Sequence, residues 1–501
     1  MEDRIIFKTV KNIVIVGGGT SAWFAAAYLN ANFDGTITVV DKEIGSPVGV
    51  GEGTLLNFDE FMKACGFRTE EWFDAVGATF KSGILFPNFG GEDNLVWHPF
   101  YLNPEYEESE SSLYEAYTHH QDLEFNELSA FFLPSIKRSV DTQNLNYYAM
   151  HVDCSKLVLW IQEQLQDRVE LIKSEVVQIE RTACGGVESL ETKQGHKISG
   201  DLFIDCTGFK QLLQDNADNV SLYGRLFCDT AIATHVPYED KKHERHPYVV
   251  SEATPNGWIW DIPVQDRIGS GYVFNRSISN LEDIKLEFCE YWDHRISPDD
   301  CKVIDWTPYY NKNMWDKNVV AVGLSGGFIE PLESSGIAMI TNGIIHLCNM
   351  IFQGYFTEND VEMYNSIMKA TYNETIDFVN MHYAYKPFDS KFWNWVEQTN
   401  EYSDLYMHLK ENLKQGGKIN NEGKGLLFSQ ANWYCWLLQI EKEIAPTRSL
   451  RIEDSSKIIA DWLDVMSEAK SKHSVISHDA VLKNAADYLE KKENREFWYE
   501  S

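Results

Sequence analysis

The chain begins with a charged stretch, MEDRIIFKTVKN, and passes at once into the unbroken apolar run NIVIV ending at Val16. A run of this kind marks a strand buried on both faces of a parallel sheet. Three glycines follow, then SAWFAAAYL with helical character, then TITVVD as a second buried strand closing on Asp41. Strand, tight turn, helix and strand in this order predict a βαβ unit at the start of the chain. Residues 168–207 alternate apolar and polar positions (VELI, SEVVQIE, GVESLET, DLFIDCTG) and predict strands returning to that sheet. The segment 258–274, WIWDIPVQDRIGSGYVF, predicts a hairpin turning near Gln265, Asp266 and Arg267, with Trp258 and Trp260 on one face. From Gly336 onward the pattern is predominantly helical. The most apolar helix, Ile337 to Phe352, is interrupted by Asn342, His346 and Asn349 and is too short to span a bilayer. Trp393 and Trp395, two apart on a helix, cannot share a face and read as core packing. Two polar stretches, PEYEESESS (104–112) and GGKINNEGKG (416–425), predict exposed loops.

Composition narrows the class. With 501 residues and 44% apolar positions, the chain can bury a large core. A net charge of −32 disfavours nucleic acid and anionic membrane surfaces. Nine cysteines without a CxxC pair fit a reducing compartment with neither a disulfide framework nor structural zinc. No HExxH occurs, and the polar setting of His119-His120 reads as surface, so no metal site is expected. The charged opening leaves no room for a signal peptide, and the expected location is cytoplasmic.

Gly17-Gly18-Gly19-Thr20-Ser21-Ala22 fits G-x-G-x-x-G/A between a strand and a helix. Glycine permits the tight turn and lets a pyrophosphate approach the helix N-terminus, where free N–H groups favour anions. Asp41 stands where an acid accepts a ribose hydroxyl. The motif alone is weak, but it gains weight from its complete βαβ context. A second glycine-rich loop, Gly49 to Thr54, contains Gly51 and Glu52, and Asp201 to Gly208 reads as a strand entering a glycine turn. Such returns suit FAD rather than NAD. No second nucleotide fingerprint for NADPH is present, which points to a separate flavin reductase as partner.

Gly257-Trp258-Ile259-Trp260-Asp261-Ile262-Pro263 contains W-x-W-x-I-P, and here the chain resembles the flavin-dependent tryptophan halogenases. Two tryptophans at this spacing are ordinarily core aromatics. The resemblance implies instead a wall that keeps organic substrate away from the activated flavin. It further implies that Lys81, in GATFKSG, is the essential lysine, although a lone lysine is ordinarily a surface charge. In Gly326 to Ile337 (GGFIEPLESSGI), Glu333 matches the catalytic glutamate, and Glu330 reads as structural. Ser335 and Gly336 open a helix, where backbone N–H groups make an anion site on physical grounds alone. The family places its halide there, commonly with Thr at the position of Ser335. Val176, Leu324 and Ile337 match flavin-contacting positions. His98 and Phe100 (His98-Pro99-Phe100) resemble the pair lining the arene pocket. Trp433-Tyr434 stands where free-tryptophan halogenases carry Tyr-Tyr for the amino-acid carboxylate, a departure that favours another indole or a less polar heteroaromatic.

The resemblance implies an α/β, flavin-hydroxylase-like FAD module over residues 1–350, with 90–150 inserted towards the substrate. A helical substrate-covering region would occupy residues 351–501. It implies that FADH2, O2 and chloride or bromide yield hypohalous acid, which Lys81 and Glu333 direct onto an electron-rich aromatic small molecule. A homo-oligomer fits equally well with a monomer. Two alternatives stand beside this reading: a flavin monooxygenase or reductase of the same fold, and a non-catalytic FAD-binding protein.

Overall fold

The computed structural model describes residues 8–42, 50–103, 110–214, 217–418, 427–470 and 474–491. The opening βαβ unit is present as expected: strand Asn12–Val16, helix Thr20–Asn32 and strand Thr36–Asp41. These strands lie in a six-stranded sheet. Its order is Glu170–Lys173, Thr36–Asp41, Asn12–Val16, Leu202–Asp205, Val319–Ala321 and Trp315–Asp316, parallel except for the last. Because side chains alternate along a strand, its two faces do different things. Ile13, Ile15 and Val39 pack with the first helix in the main core, whereas Val14, Val16 and Val40 pack against a small antiparallel sheet spanning residues 176–199. Strands buried on both sides explain why the sequence shows runs rather than alternation here.

A second, seven-stranded sheet contains the predicted hairpin, Gly257–Pro263 against Ile268–Phe274, with Pro263 opposite Ile268. Trp258 and Trp260 share a face, their ring centres 6.1 Å apart. This sheet continues through Val249–Thr254 and Gly83–Pro87 to the edge strand Leu95–Pro99. Between the two large sheets sits a three-stranded one, Glu52–Gly53, Ala149–Val152 and Thr79–Lys81. Its middle strand faces the flanking pair through Gly53 opposite His151 and Thr79 opposite His151, so Gly53, Thr79 and Lys81 point to one side.

The C-terminal third is helical, as the pattern predicts. The helix Gln430–Ile440 packs on the strand Leu95–Pro99 and on the helix Glu110–Tyr117, which also supports Ile452–Lys470. One hydrophobic cluster runs from Val10 to Leu489, so these helices share the core of the sheet layers. Trp393 is fully buried and its indole N–H donates to Thr254 O, in keeping with core packing. Among the described residues no helix is long and apolar enough to cross a membrane.

The acidic stretch at 104–112 needs correction. Residues 104–109 lie outside the described residues, but Glu110 begins a helix and is buried, accepting the N–H groups of Leu102 and Asn103. Its carboxylate serves a buried backbone turn, and composition alone could not separate it from the other acids of the stretch. Most of the second predicted loop, 419–425, also lies outside the described residues.

Asp205 ends the central strand Leu202–Asp205 and ties three loops together. Its carboxylate accepts from Thr207 N and Oγ1, from Ser325 Oγ and from Leu213 N, all at 2.7–3.0 Å. Removing it would leave several donors buried without a partner. Asp205→Ala is expected to cost about 3 kcal/mol of unfolding free energy, read as a lower urea midpoint.

Candidate active site

The first helix is built to receive an anion. Its N-cap, Gly19, supplies no side-chain hydrogen bond and its first turn contains no acid, leaving the initial N–H groups open. A Cβ on Gly19 would meet nothing within 4 Å, which leaves the approach to those groups clear. Gly17, at φ +129°, passes so close to the neighbouring strand that a Cβ would fall 2.3 Å from Cys206 O. At Gly18 the obstacle would be Asp41, whose Oδ2 lies 1.8 Å from the would-be Cβ. The glycines, Thr20, Ser21 and Asp41 therefore converge on one open end of the sheet, and the residues present fit a dinucleotide.

The other expected cofactor contacts border this end. Gly51 (φ +94°) approaches Ile262 and Gly269 of the hairpin. Glu52 is buried and accepts the N–H of Cys154; burial raises its carboxyl to about 7 against the opposing pull of that bond. Leu324 is 40% exposed in the turn after Val319–Ala321, beside Gly208, and so offers apolar surface to a ligand. Ile337 is buried in the first turn of the helix Ser335–Ile351. Val176 lies on the opposite layer, packed against the small antiparallel sheet cluster.

A second anion-ready helix start faces the first. Ser334 adopts a left-handed conformation (φ 57°, ψ 29°), so the chain turns sharply into the helix Ser335–Ile351. Ser334 gives no side-chain cap, and the Ser335 hydroxyl is buried without a partner among the described residues. A Cβ on Gly336 would meet nothing within 4 Å. Free N–H groups, the helix dipole and this open space suit a small anion.

Lys81 lies at the same place, fully buried on the strand Thr79–Lys81. Its amine donates to Thr54 O at 2.9 Å and sits 5.3 Å from the centre of the Phe100 ring. Burial lowers its pKa to about 7, with Glu333 opposing that shift. A Cβ on Gly53 would lie 2.6 Å from Ser334 Oγ and 3.2 Å from Lys81 Nζ. Glycine there lets the helix start and the lysine close on each other.

Glu333 is buried and fully engaged. His98 Nδ1 lies 2.8 Å from its Oε2, His382 Nε2 lies 2.7 Å from its Oε1, and the Trp436 indole N–H donates to Oε1 at 2.8 Å. Burial pushes the carboxyl up, but His98 and His382 together outweigh it and hold Glu333 at about 2. No ion pair joins it to Lys81; the two are coupled through space. Glu330 behaves as the structural acid. Trp258 Nε1 and Tyr383 OH donate to its Oε2, so it braces the tryptophan wall, and burial raises its carboxyl.

His98 thus contacts Glu333 through Nδ1 and Asn432 through Nε2. The helix Gln430–Ile440 reaches the site through Asn432 and Trp436 rather than through the expected Trp433 and Tyr434. Trp433 is fully buried edge-on to Phe378, and Tyr434 is stacked on Tyr114 with ring centres 5.4 Å apart. His382, Asn432 and Trp436 escaped the sequence reading. The only available signal was that Asn432 and Trp436 are four apart and so share the helix face that Trp433 leaves.

These features have known counterparts. The family model for tryptophan halogenase matches residues 12–456. The tryptophan 6-halogenase ThaL of Streptomyces albogriseolus is 31% identical over 417 residues, covering 77% of this chain and 78% of that protein. Among solved structures, the tryptophan halogenase of Shewanella frigidimarina superposes with a TM-score of 0.85 at 25% identity, covering 96% of this chain and 98% of that one. The tryptophan 6-halogenase SttH of Streptomyces toxytricini gives 0.84 at 26% identity, with 95% and 100% covered. With a flavin-type cradle, a buried lysine and an anion-ready helix start arranged on this fold, the chain belongs to the tryptophan halogenase family and is a flavin-dependent halogenase.

Proposed function

We propose that this halogenase receives FADH2 from a separate reductase and uses O2 and chloride or bromide to halogenate an electron-rich aromatic, an indole in preference to free tryptophan. The observation that carries the reading is the approach of Lys81 Nζ and Ser334 Oγ to the same point above Gly53, beside an open helix N-terminus. Bound reduced FAD, with O2 and halide, would supply hypohalous acid. Gly17, Gly18, Gly19, Thr20, Ser21 and Asp41 hold the dinucleotide, and the amides of Ser335 and Gly336 hold the halide. Trp258, braced by Glu330, keeps the arene from the flavin side.

Lys81 then receives the halogen. As a neutral amine it bonds to the halogen of hypohalous acid while the hydroxide leaves and takes an amine proton, giving an N-halo amine and water. The arene carbon displaces that halogen, and the ring proton returns to the lysine nitrogen through Glu333. An arenium ion is acidic enough for even a low-pKa carboxylate to accept its proton. Phe100 and His98 flank the space in which the ring must lie, and proximity there sets the position attacked. Residues 90–150 and 351–501 serve as the substrate-covering side. Trp433 and Tyr434, both committed to aromatic packing, support an arene without a free amino-acid head. The nine unpaired cysteines suit a reducing cytoplasm.

The direct test combines the protein with FAD, a generic flavin reductase, NADH and a panel of indoles and phenols, with chloride or bromide, and reads halogen isotope patterns by mass spectrometry. NADPH oxidation by the protein alone, with a hydroxylated product, would favour the monooxygenase alternative instead. Lys81→Ala is expected to abolish halogenation while FAD still binds. In the wild type the single-turnover rate should rise with pH through about 7, as the amine loses its proton. A rate that falls over this range would assign the work to the ammonium form. Gly336→Ala should raise the halide KM at least roughly tenfold by filling the anion space, with flavin affinity unchanged. Glu333→Gln should slow turnover by about two orders of magnitude or more; an equal loss in Glu330→Gln alone would move the catalytic role to that residue.

A further inference from the structure

The mechanism above leaves His382 unused, although it lies against the catalytic carboxylate. Its ring is fully buried at the C-terminus of the helix Glu358–Met381, packed against Phe86 and Phe89 and, at 3.7 Å between ring centres, against Trp436. Both ring nitrogens face obligate acceptors. Nδ1 lies 2.9 Å from the backbone oxygen of Phe378, and Nε2 lies 2.7 Å from Glu333 Oε1. A neutral imidazole has one N–H and one lone pair. In either neutral tautomer a bare nitrogen lone pair would face an oxygen lone pair at hydrogen-bond distance.

His98 differs in a way that sharpens the contrast. Asn432 Oδ1 accepts the Ser429 N–H and hydroxyl, which fixes its amide nitrogen towards His98 Nε2 at 3.0 Å. His98 Nε2 is therefore an acceptor, and its Nδ1–H donates to Glu333. One histidine has a donor and an acceptor as neighbours and is satisfied when neutral; the other has two acceptors.

Resting on the reading of Lys81 and Glu333 given above, we infer that His382 is a positioning residue held as an imidazolium, which neutralises Glu333 and so frees Lys81 to act as an uncharged amine. Burial pulls the His382 pKa below its ordinary value, and the bond to Glu333 opposes that shift without overcoming it; what favours the charge is the hydrogen-bond geometry, two acceptors against a ring that has one N–H when neutral. The proton could equally be placed on Glu333, but the carboxylate already accepts from His98 and Trp436, so the ionised form is the better hydrogen-bonded one. The remaining titratable groups facing the pair are Lys81 from its strand, His98 from the edge strand and the Cys435 thiol from the helix Gln430–Ile440. Without the His382 charge, Glu333 would hold Lys81 as an ammonium and remove its lone pair at neutral pH.

The test has two independent readouts on the full-length protein. With 15N-labelled histidine, and the signal assigned through its loss in His382→Gln, His382 is expected to show two protonated ring nitrogens at pH 7.5. One protonated and one bare nitrogen would overturn the inference. His382→Gln keeps a neutral donor for Glu333, so the protein should fold and bind FAD. Its pH–rate limb for Lys81 should move up by about one pH unit, lowering the rate at pH 7 roughly fivefold and recovering at higher pH. An unshifted limb in a folded variant would also overturn the inference. The nuclear magnetic resonance readout does not use halogenation. A neutral His382 in an enzyme that halogenates would sink only this inference, whereas an imidazolium in a protein that halogenates no arene would sink only the reading it rests on.

Discussion

The buried pairing of Lys81 with Glu333 is the constraint around which the rest of the site is arranged. Two ionisable groups taken out of water are costly unless each is compensated locally. The structure compensates them separately. Lys81 has the Thr54 carbonyl and the Phe100 face, while Glu333 has two histidines and an indole. Neither group is spent on the other in direct contact.

Compensation of this kind needs partners from far along the chain. Glu333 draws His98 from an edge strand, His382 from the end of a long helix, and Trp436 from a third helix. The helical C-terminal third is therefore not only a cover. It shares the main hydrophobic core and delivers two of the three groups that keep Glu333 ionised. The same economy is seen at Glu330, three residues earlier, which faces Trp258 and Tyr383 instead. Two acids in one short loop thus acquire different roles from the donors they meet.

The two helix N-termini present open donors without charged side chains. At Gly19 and at Ser335–Gly336 the backbone N–H groups are left free, which is why small residues and an absence of side-chain caps matter more there than any titratable group. The hairpin tryptophans lie side by side, and Gly51 comes close to the same hairpin.

What the sequence determined by itself is what depends on neighbours in the chain. The βαβ start, the returning strand at Leu202–Asp205, the hairpin with Trp258 and Trp260 on one face of its first strand and the helical C-terminus all follow from local periodicity, and each is present. The glycine turn and the helix start at Ser335 were legible because backbone donors sit where a local motif puts them. Lys81 and Glu333 could be singled out only by resemblance, since one lysine and one glutamate have no distinguishing pattern. Tertiary structure alone decided that Glu110 is buried, that Asn432 and Trp436 rather than Trp433 and Tyr434 face the site, and that His382 completes Glu333. Those outcomes depend on which buried donors and acceptors meet across the core, and a hydrogen bond between residues 49 or 235 positions apart leaves no trace in the local pattern of either.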